Sequence, residues 1–165
     1  MGLTSLPGER PPGLDSPRTA TVIKYMAKAQ VRLFRLTNGR LGSTWRIGAG
    51  ARKPVPTLLL DHVGRKSGQL FTTPLLYLAD GADLVVVASQ GGLPKNPQWY
   101  PNLLAQPETA VRLRREGVRR VRAREAVGEE RAALWPRLVD LYADFAKYAE
   151  WTEREIPVMV LEPLS

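Results

Sequence analysis

The chain has 165 residues, a length most simply filled by one domain, and carries 24 Lys and Arg against 16 Asp and Glu, for a net charge of +8 and a pI near 10.2. It has no cysteine and a single histidine, His62, which excludes disulfides, a thiolate nucleophile and cysteine-held metal clusters and argues against a histidine metal site or a Ser-His-Asp triad; redox chemistry here needs an organic cofactor. No apolar run approaches the roughly 18 residues of a membrane span and the first residues lack the order of a signal peptide, so a soluble cytoplasmic protein is expected, its charge admitting a polyanionic ligand, nucleic acid or the inner face of an anionic membrane.

Residues 1–15 are dense in proline and glycine, which predicts a disordered leader and leaves 16–165 as a single folded domain. Ser16 followed by Pro17 is a helix start, and the helix is expected to run to about Leu36. Val22, Met26 and Leu33, with Ile23, Ala27 and Phe34, draw an apolar stripe between Lys24, Lys28, Arg32 and Arg35. From Ser16 to Leu60 there are nine basic residues and no acidic one. Two readings follow: the stripe packs on the core with a solvated basic face, or residues 16–36 rest peripherally on anionic lipid.

Strands are expected at Val55 to Asp61, Leu70 to Ala79 and Asp83 to Ser89, the last apolar on both faces and therefore central. Asp80-Gly81 marks a hairpin between the second and third. Asn96 and Pro97 predict a short helix to Gln106, in which Pro101 should cost one backbone hydrogen bond or bend the axis. From Thr109 to Ala126 apolar residues alternate with arginine about a turn at Glu116-Gly117, giving a hairpin with one arginine-covered face, serving either edge protection or anion binding. Glu129 to Ala149 reads as one helix bearing Leu134, Leu138, Tyr142, Phe145 and Tyr148, and Ile156 to Leu161 as a terminal strand. This order lacks strand–helix alternation, so an antiparallel sheet curled into a small barrel with peripheral helices is expected.

Two loops invite a ligand. Gly64-Arg65-Lys66-Ser67-Gly68 exposes a guanidinium fork and an ammonium beside backbone N–H groups, a pattern shared by phosphate cradles and plain surface turns. Ser89-Gln90-Gly91-Gly92 leaves the central strand, and its glycines allow close approach to a flat ring. Thr72-Thr73-Pro74 suits a strand edge, while Trp99 and Tyr100 suit either stacking or core packing.

Taken in order, G-R-K-S-G, T-T-P-L, V-A-S-x-G-G and K-N-P-x-W-Y-x-N-L resemble the deazaflavin-dependent nitroreductase and quinone reductase family, whose members use coenzyme F420. The resemblance spans about Lys24 to Pro163 and includes Tyr142, Phe145, Tyr148, Trp151-Thr152-Glu153-Arg154 and Ile156-Pro157-Val158. It implies an α+β fold with an antiparallel, FMN-binding-like split β-barrel. It also implies hydride transfer from reduced F420 to a quinone-like or nitroaromatic acceptor without a metal. Carried over by position, Arg65, Lys66 and Ser67 hold the phosphate and glutamyl tail. Phe71, Thr72, Thr73, Pro74, Leu75, Val87, Ala88, Ser89, Gln90, Gln98, Trp99, Tyr100, Pro101 and Asn102 line the coenzyme, and Ser89, Tyr142 and Tyr148 face the acceptor. The chain departs from one version of the pattern at Gln90, Phe71 and Phe145, where lysine, arginine and tyrosine occur, so acceptor choice stays open. An FMN enzyme of the same barrel, and a non-enzymatic module binding nucleic acid or anionic lipid, are the alternatives; monomer and homodimer are both open.

Overall fold

Ser16 accepts a hydrogen bond from the Thr19 backbone N–H at 3.2 Å and so caps the first helix, α1 (Pro17–Leu36), with Pro17 in its first turn where no N–H is needed. The computed structural model describes residue 10 and residues 12–165, so most of the expected leader falls outside the described residues. Only Val31 and Phe34 of α1 are buried, against Leu59. Val22, Ile23, Tyr25, Met26, Leu33 and Leu36 stay exposed, Leu36 at 85%, which corrects the expectation that the whole stripe packs on the core. The helix meets the sheet by its C-terminal half alone.

Eight strands follow: β1 (Thr44–Trp45), β2 (Val55–Val63), β3 (Leu70–Leu76), β4 (Leu78–Asp80), β5 (Asp83–Val87), β6 (Glu108–Leu113), β7 (Gly117–Ala126) and β8 (Val158–Pro163). All pairings are antiparallel, in the order β1-β2-β6-β7-β8-β5-β4, with β3 on the other edge of β2. β3 and β4 are one strand bent at Tyr77, whose N–H donates to Pro56 O at 3.2 Å. The expected strand Leu70 to Ala79 is thus divided: its first part pairs with β2 and its last with β5, so the pairings return on themselves as an antiparallel split barrel. This is the α+β architecture expected from the sequence.

Alternation along β5 and β8 explains the two apolar layers. Leu84, Val86, Met159 and Leu161 meet Leu58, Leu60, Val111, Leu113, Val121 and Ala123 inside the barrel. Val85, Val87, Val158 and Val160 face the other way, beneath two helices, α3 (Gly128–Leu141) and α4 (Asp144–Glu150). Each fully buried aliphatic side chain contributes roughly 1.5–3 kcal/mol, whereas an exposed ion pair contributes about 0–1 kcal/mol. The barrel therefore rests on these layers and not on the arginine face, where Arg122 pairs with Glu108 and Arg124 with Glu130 and Glu162; Arg119, on the other side of β7, pairs with Glu116 of the turn.

Three boundaries differ from the sequence reading. The helix expected from Glu129 to Ala149 breaks at Tyr142, whose extended backbone (ψ 98°) drives its ring into a buried aromatic cluster, a tertiary effect that local propensity does not encode. The short helix, α2 (Trp99–Ala105), starts two residues late because the Asn96 side chain is engaged elsewhere, accepting from Arg154 at 2.8 Å. Pro101 consequently falls in the first turn and forfeits no helical hydrogen bond. Finally, β1 and a short 3-10 turn at Gly48–Ala51 occupy the glycine-rich stretch after α1. Among the described residues no helix is long and apolar enough to cross a membrane.

Candidate active site

The turn after β2 is closed by Gly64 N–H donating to Gln69 O and Gly68 N–H to Gly64 O, both at 2.8 Å. Gly64 is closely packed: a Cβ there would lie 2.4 Å from Ser67 Oγ and 3.0 Å from the Phe71 ring, so both side chains would have to shift. Arg65, Lys66 and Ser67 project from this turn into solvent. α2 anchors the turn, because Asn102 Oδ1 accepts from the Arg65 backbone N–H at 3.1 Å and Gln98 Oε1 accepts from its guanidinium at 3.3 Å. Asn102 in turn meets His62 Nδ1 at 3.0 Å, and His62 Nε2 meets Thr73 Oγ1 at 2.9 Å. Phe71 stacks on the His62 ring, 5.6 Å between centroids. Burial holds His62 below its ordinary pKa, partly opposed by the Asp61 carboxylate. Asp61 accepts from Thr72 at 2.6 Å, and Thr72 also accepts from Arg35 of α1 at 2.9 Å.

Sequence reasoning singled out Arg65, Lys66, Ser67, Gln98 and Asn102, and the fold brings Arg65, Gln98 and Asn102 into direct contact, with Lys66 and Ser67 in the same turn. The strand Phe71 to Leu75 runs beside them, pairing with β2 from Leu58 to His62. Other members do something different. Trp99 is 4% exposed inside the barrel, and Ala88 packs in the same layer, so the indole is a core group. Val87 faces the second layer beneath α3 and α4. The Tyr100 hydroxyl donates to Glu125 Oε2 at 2.9 Å; burial first, and then that carboxylate, push its pKa up to about 12. Pro101 is partly buried in the first turn of α2.

The segment after β5 links this cluster to a second one. Gly92 has φ +74°, and a Cβ on it would lie 2.8 Å from Tyr148 O, so glycine is needed both for the backbone and for the approach of α4. Tyr148 lies 3.3 Å from the Tyr142 hydroxyl, which accepts from Trp45 Nε1 at 3.3 Å; Trp151 sits 5.6 Å from the Tyr148 ring. Desolvation raises both phenols above their ordinary pKa, so each remains a neutral hydroxyl at working pH. Ser89 is nearly buried and Gln90, at φ 44°, is exposed.

Arg154 was read only as part of the closing pattern, yet it organises this segment. Its guanidinium donates to Leu93 O at 3.0 Å, Ala88 O at 3.2 Å, Ser89 O at 2.8 Å and Asn96 Oδ1 at 2.8 Å. Nothing local signals this, since three of its acceptors are backbone carbonyls more than sixty residues away. His62, Trp45 and Asp144 were likewise unassigned; Asp144 accepts from Ala49 N–H at 3.0 Å and braces the stretch before β2 against α4. Among the described residues no group of three or more His, Cys, Asp or Glu could hold a metal ion.

Residues 26–163 match the family described as F420H(2)-dependent quinone reductase. A Mycobacterium tuberculosis protein provisionally named an F420H(2)-dependent quinone reductase is 55% identical over 118 residues, covering 72% of this chain and 98% of its own. A second protein of that organism, named F420H(2)-dependent quinone reductase without the qualifier, is 37% identical over 132 residues, covering 78% of this chain and 84% of its own. Among solved structures, an F420-H2 dependent reductase superposes with a TM-score of 0.60 at 38% identity over 65% of this chain and 94% of that one. Another, described as a domain-swapped dimer, gives 0.63 at 31% identity over 88% and 99%.

Proposed function

The chain belongs to the F420H(2)-dependent quinone reductase family, and on that premise we propose that residues 16–165 form one cofactor-binding domain that transfers a hydride from reduced coenzyme F420 to a quinone-like or nitroaromatic acceptor. The observation that carries the site assignment is the Arg65-Lys66-Ser67 turn, tethered to α2 through Asn102. Its surroundings fit an anionic tail: from His62 to Ala79, and again from Leu84 to Pro107, there is no Asp or Glu to repel one. A Cβ at Gly91 would meet nothing within 4 Å, so the exit of β5 opens there onto free space. F420 suits this donor set, and FMN is not needed to explain it.

When bound, reduced F420 supplies the hydride. In this proposal Arg65 and Lys66 hold phosphate and carboxylates by charge-assisted hydrogen bonds, with Ser67 adding a hydroxyl donor. The strand Phe71 to Leu75 and the segment Val87 to Gln90 border the ring chiefly through backbone groups, since Val87 and Ala88 point their side chains into the core. Trp99 and Pro101 serve by supporting Gln98 and Asn102. Ser89 and Tyr148 face the acceptor, and Tyr142 orients Tyr148 through the 3.3 Å contact between their hydroxyls. Phenols with raised pKa values donate hydrogen bonds to a developing oxyanion better than they surrender protons, so their role is stabilisation before protonation. Trp151 walls this end.

Titrating the protein with oxidised F420 and with FMN, followed by tryptophan quenching, tests the cofactor: tighter binding of F420 is expected, and a preference for FMN would overturn it. A peripheral contact of residues 16–36 with anionic lipid is favoured by the exposed Val22, Tyr25, Met26, Leu33 and Leu36 beside a wholly basic set of charges. Val22→Asp with Met26→Asp should abolish co-sedimentation with phosphatidylglycerol vesicles; retained binding would dispose of that contact. The basic nucleic-acid module is not favoured, because the family accounts for the ordered glycine loops that such a module leaves unexplained, and Arg122 and Arg124 of the arginine face are already paired with glutamates.

A further inference from the structure

We propose that His62 is a positioning residue for the cofactor's anionic tail: through Asn102 it fixes the Arg65-Lys66-Ser67 turn, and gain of a second ring proton releases that turn. The inference rests on the tail-binding reading of the turn given above.

Hydrogen-bond logic sets every role. The Arg65 backbone N–H can only donate, so the Asn102 atom 3.1 Å from it is the acceptor Oδ1. The amide Nδ2 therefore faces His62 Nδ1 at 3.0 Å and donates to it. Nδ1 must then be unprotonated, which puts the ring proton on Nε2, where it is donated to Thr73 Oγ1 at 2.9 Å. His62 and Asn102 are each 4% exposed and Phe71 covers the imidazole, so water has little room to take over either bond.

A proton arriving at Nδ1 sets two donors against each other. The local remedy is to rotate the Asn102 amide, but that turns Nδ2 toward the Arg65 N–H and moves the same conflict to the turn. Either way Asn102 stops holding Arg65. The charged neighbours are few. Asp61, on the same strand, favours the second proton and is itself 4.0 Å from Arg35 of α1; Arg65 reaches Asn102 Oδ1 at 3.5 Å from the turn. β3 offers only Thr73 and the Phe71 ring, and α2 only Asn102 and Gln98, with no charged residue in either element; β6, on the other side of β2, carries Arg112 and Glu108, the latter paired with Arg122. Because burial holds the His62 pKa below its ordinary value, the turn is held at neutral pH and released in acid.

The test uses the full chain, with tryptophan quenching as the readout, from pH 7.5 to 5. The ligands are F420 and a deazaflavin carrying the ring and ribityl chain without phosphate or glutamates. Wild-type affinity for F420 should fall in acid, by up to about tenfold, the loss of one buried hydrogen bond, while the tail-less compound binds equally throughout. His62→Phe should weaken F420 at all pH values. His62→Asn, which restores an acceptor at the Nδ1 position and does not titrate, should rescue neutral affinity and abolish the acid loss. The same acid loss in His62→Asn, or a parallel loss for the tail-less compound, overturns the proposal. Nitrogen NMR of His62 judges it without ligand or substitution: an Nε2–H tautomer at pH 7.5 supports it and an Nδ1–H tautomer refutes it. If F420 binds at no pH, the tail-binding reading fails, and the tautomer still decides whether His62 orients Asn102.

Discussion

Replacing Arg154 with methionine should loosen the whole segment from Ala88 to Asn96 while leaving the barrel intact. Methionine keeps much of the side-chain volume but removes all four hydrogen bonds to Leu93, Ala88, Ser89 and Asn96. Hydrogen bonds from a charged group are worth about 1.5–3 kcal/mol each, and their simple sum overstates the loss because water reaches this partly exposed site. Burial also disfavours the guanidinium's charge, lowering its pKa, which reduces the net value of the charge itself. A net cost of about 3 kcal/mol is expected, and for a domain of this size that lowers Tm by roughly 6–12 °C. Arg154→Lys keeps a point charge without the fork and should recover only part of the loss. Calorimetry on the three proteins provides the comparison. The second measurement is affinity: in the proposed site the disturbed segment borders the ring and not the tail, so both F420 and its tail-less ring compound should weaken together. A Tm for Arg154→Met within 2 °C of wild type, by the same conversion less than about 1 kcal/mol, would refute the idea that this guanidinium holds the segment in place.

Gly92→Ala combines a positive φ with a Cβ 2.8 Å from Tyr148 O, so a loss of about 2–4 kcal/mol is expected by thermal unfolding, with the Tyr148 environment altered in near-ultraviolet dichroism. Tyr148→Phe should slow single-turnover hydride transfer about tenfold or more, whereas Tyr142→Phe should act more weakly and chiefly by freeing Tyr148; full rates in both would reduce the pair to pocket walls. Tyr100 has a folded-state pKa near 12, above its unfolded value, so its contribution is complete below pH 10 and disappears as pH rises through 12. Urea unfolding between pH 9 and 12 should show a steeper alkaline loss for wild type than for Tyr100→Phe, and equal slopes would mean that burial and Glu125 together do not favour the neutral phenol.

The parts that were legible share a cause. Ser16-Pro17 announced α1 because capping is a local interaction, and the Val111–Ala123 alternation announced the β6–β7 hairpin because strand faces have a period of two. Tyr142 broke a helix that its neighbours favour, since the cause was a buried contact with Trp45, nearly a hundred residues earlier in the chain. Trp99 kept the ambiguity of any aromatic until its surroundings placed it in the core. Arg65 stood out in its glycine-bounded turn and Asn102 through the family resemblance, but their contact depends on the turn after β2 meeting α2, and His62 has no local mark separating it from an ordinary buried histidine. Ring closure through a bend at Tyr77 was equally hidden, because both halves of the strand read as continuous β sequence.

That bend has a thermodynamic side. The strand holding Thr72 to Leu75 is also the seam that closes the ring, so a ligand resting on those residues draws on the same free energy that keeps the seam shut. At a hundredfold excess over Kd, ligand binding adds about 2.7 kcal/mol to whatever holds the bound form together. If the cofactor rests there as proposed, loading should work as a clasp: amide exchange in β3 and β4 should slow together when the ligand is added, while β7, on the far side of the ring, keeps its own clock. Occupancy and mechanical integrity become one quantity measured at two places.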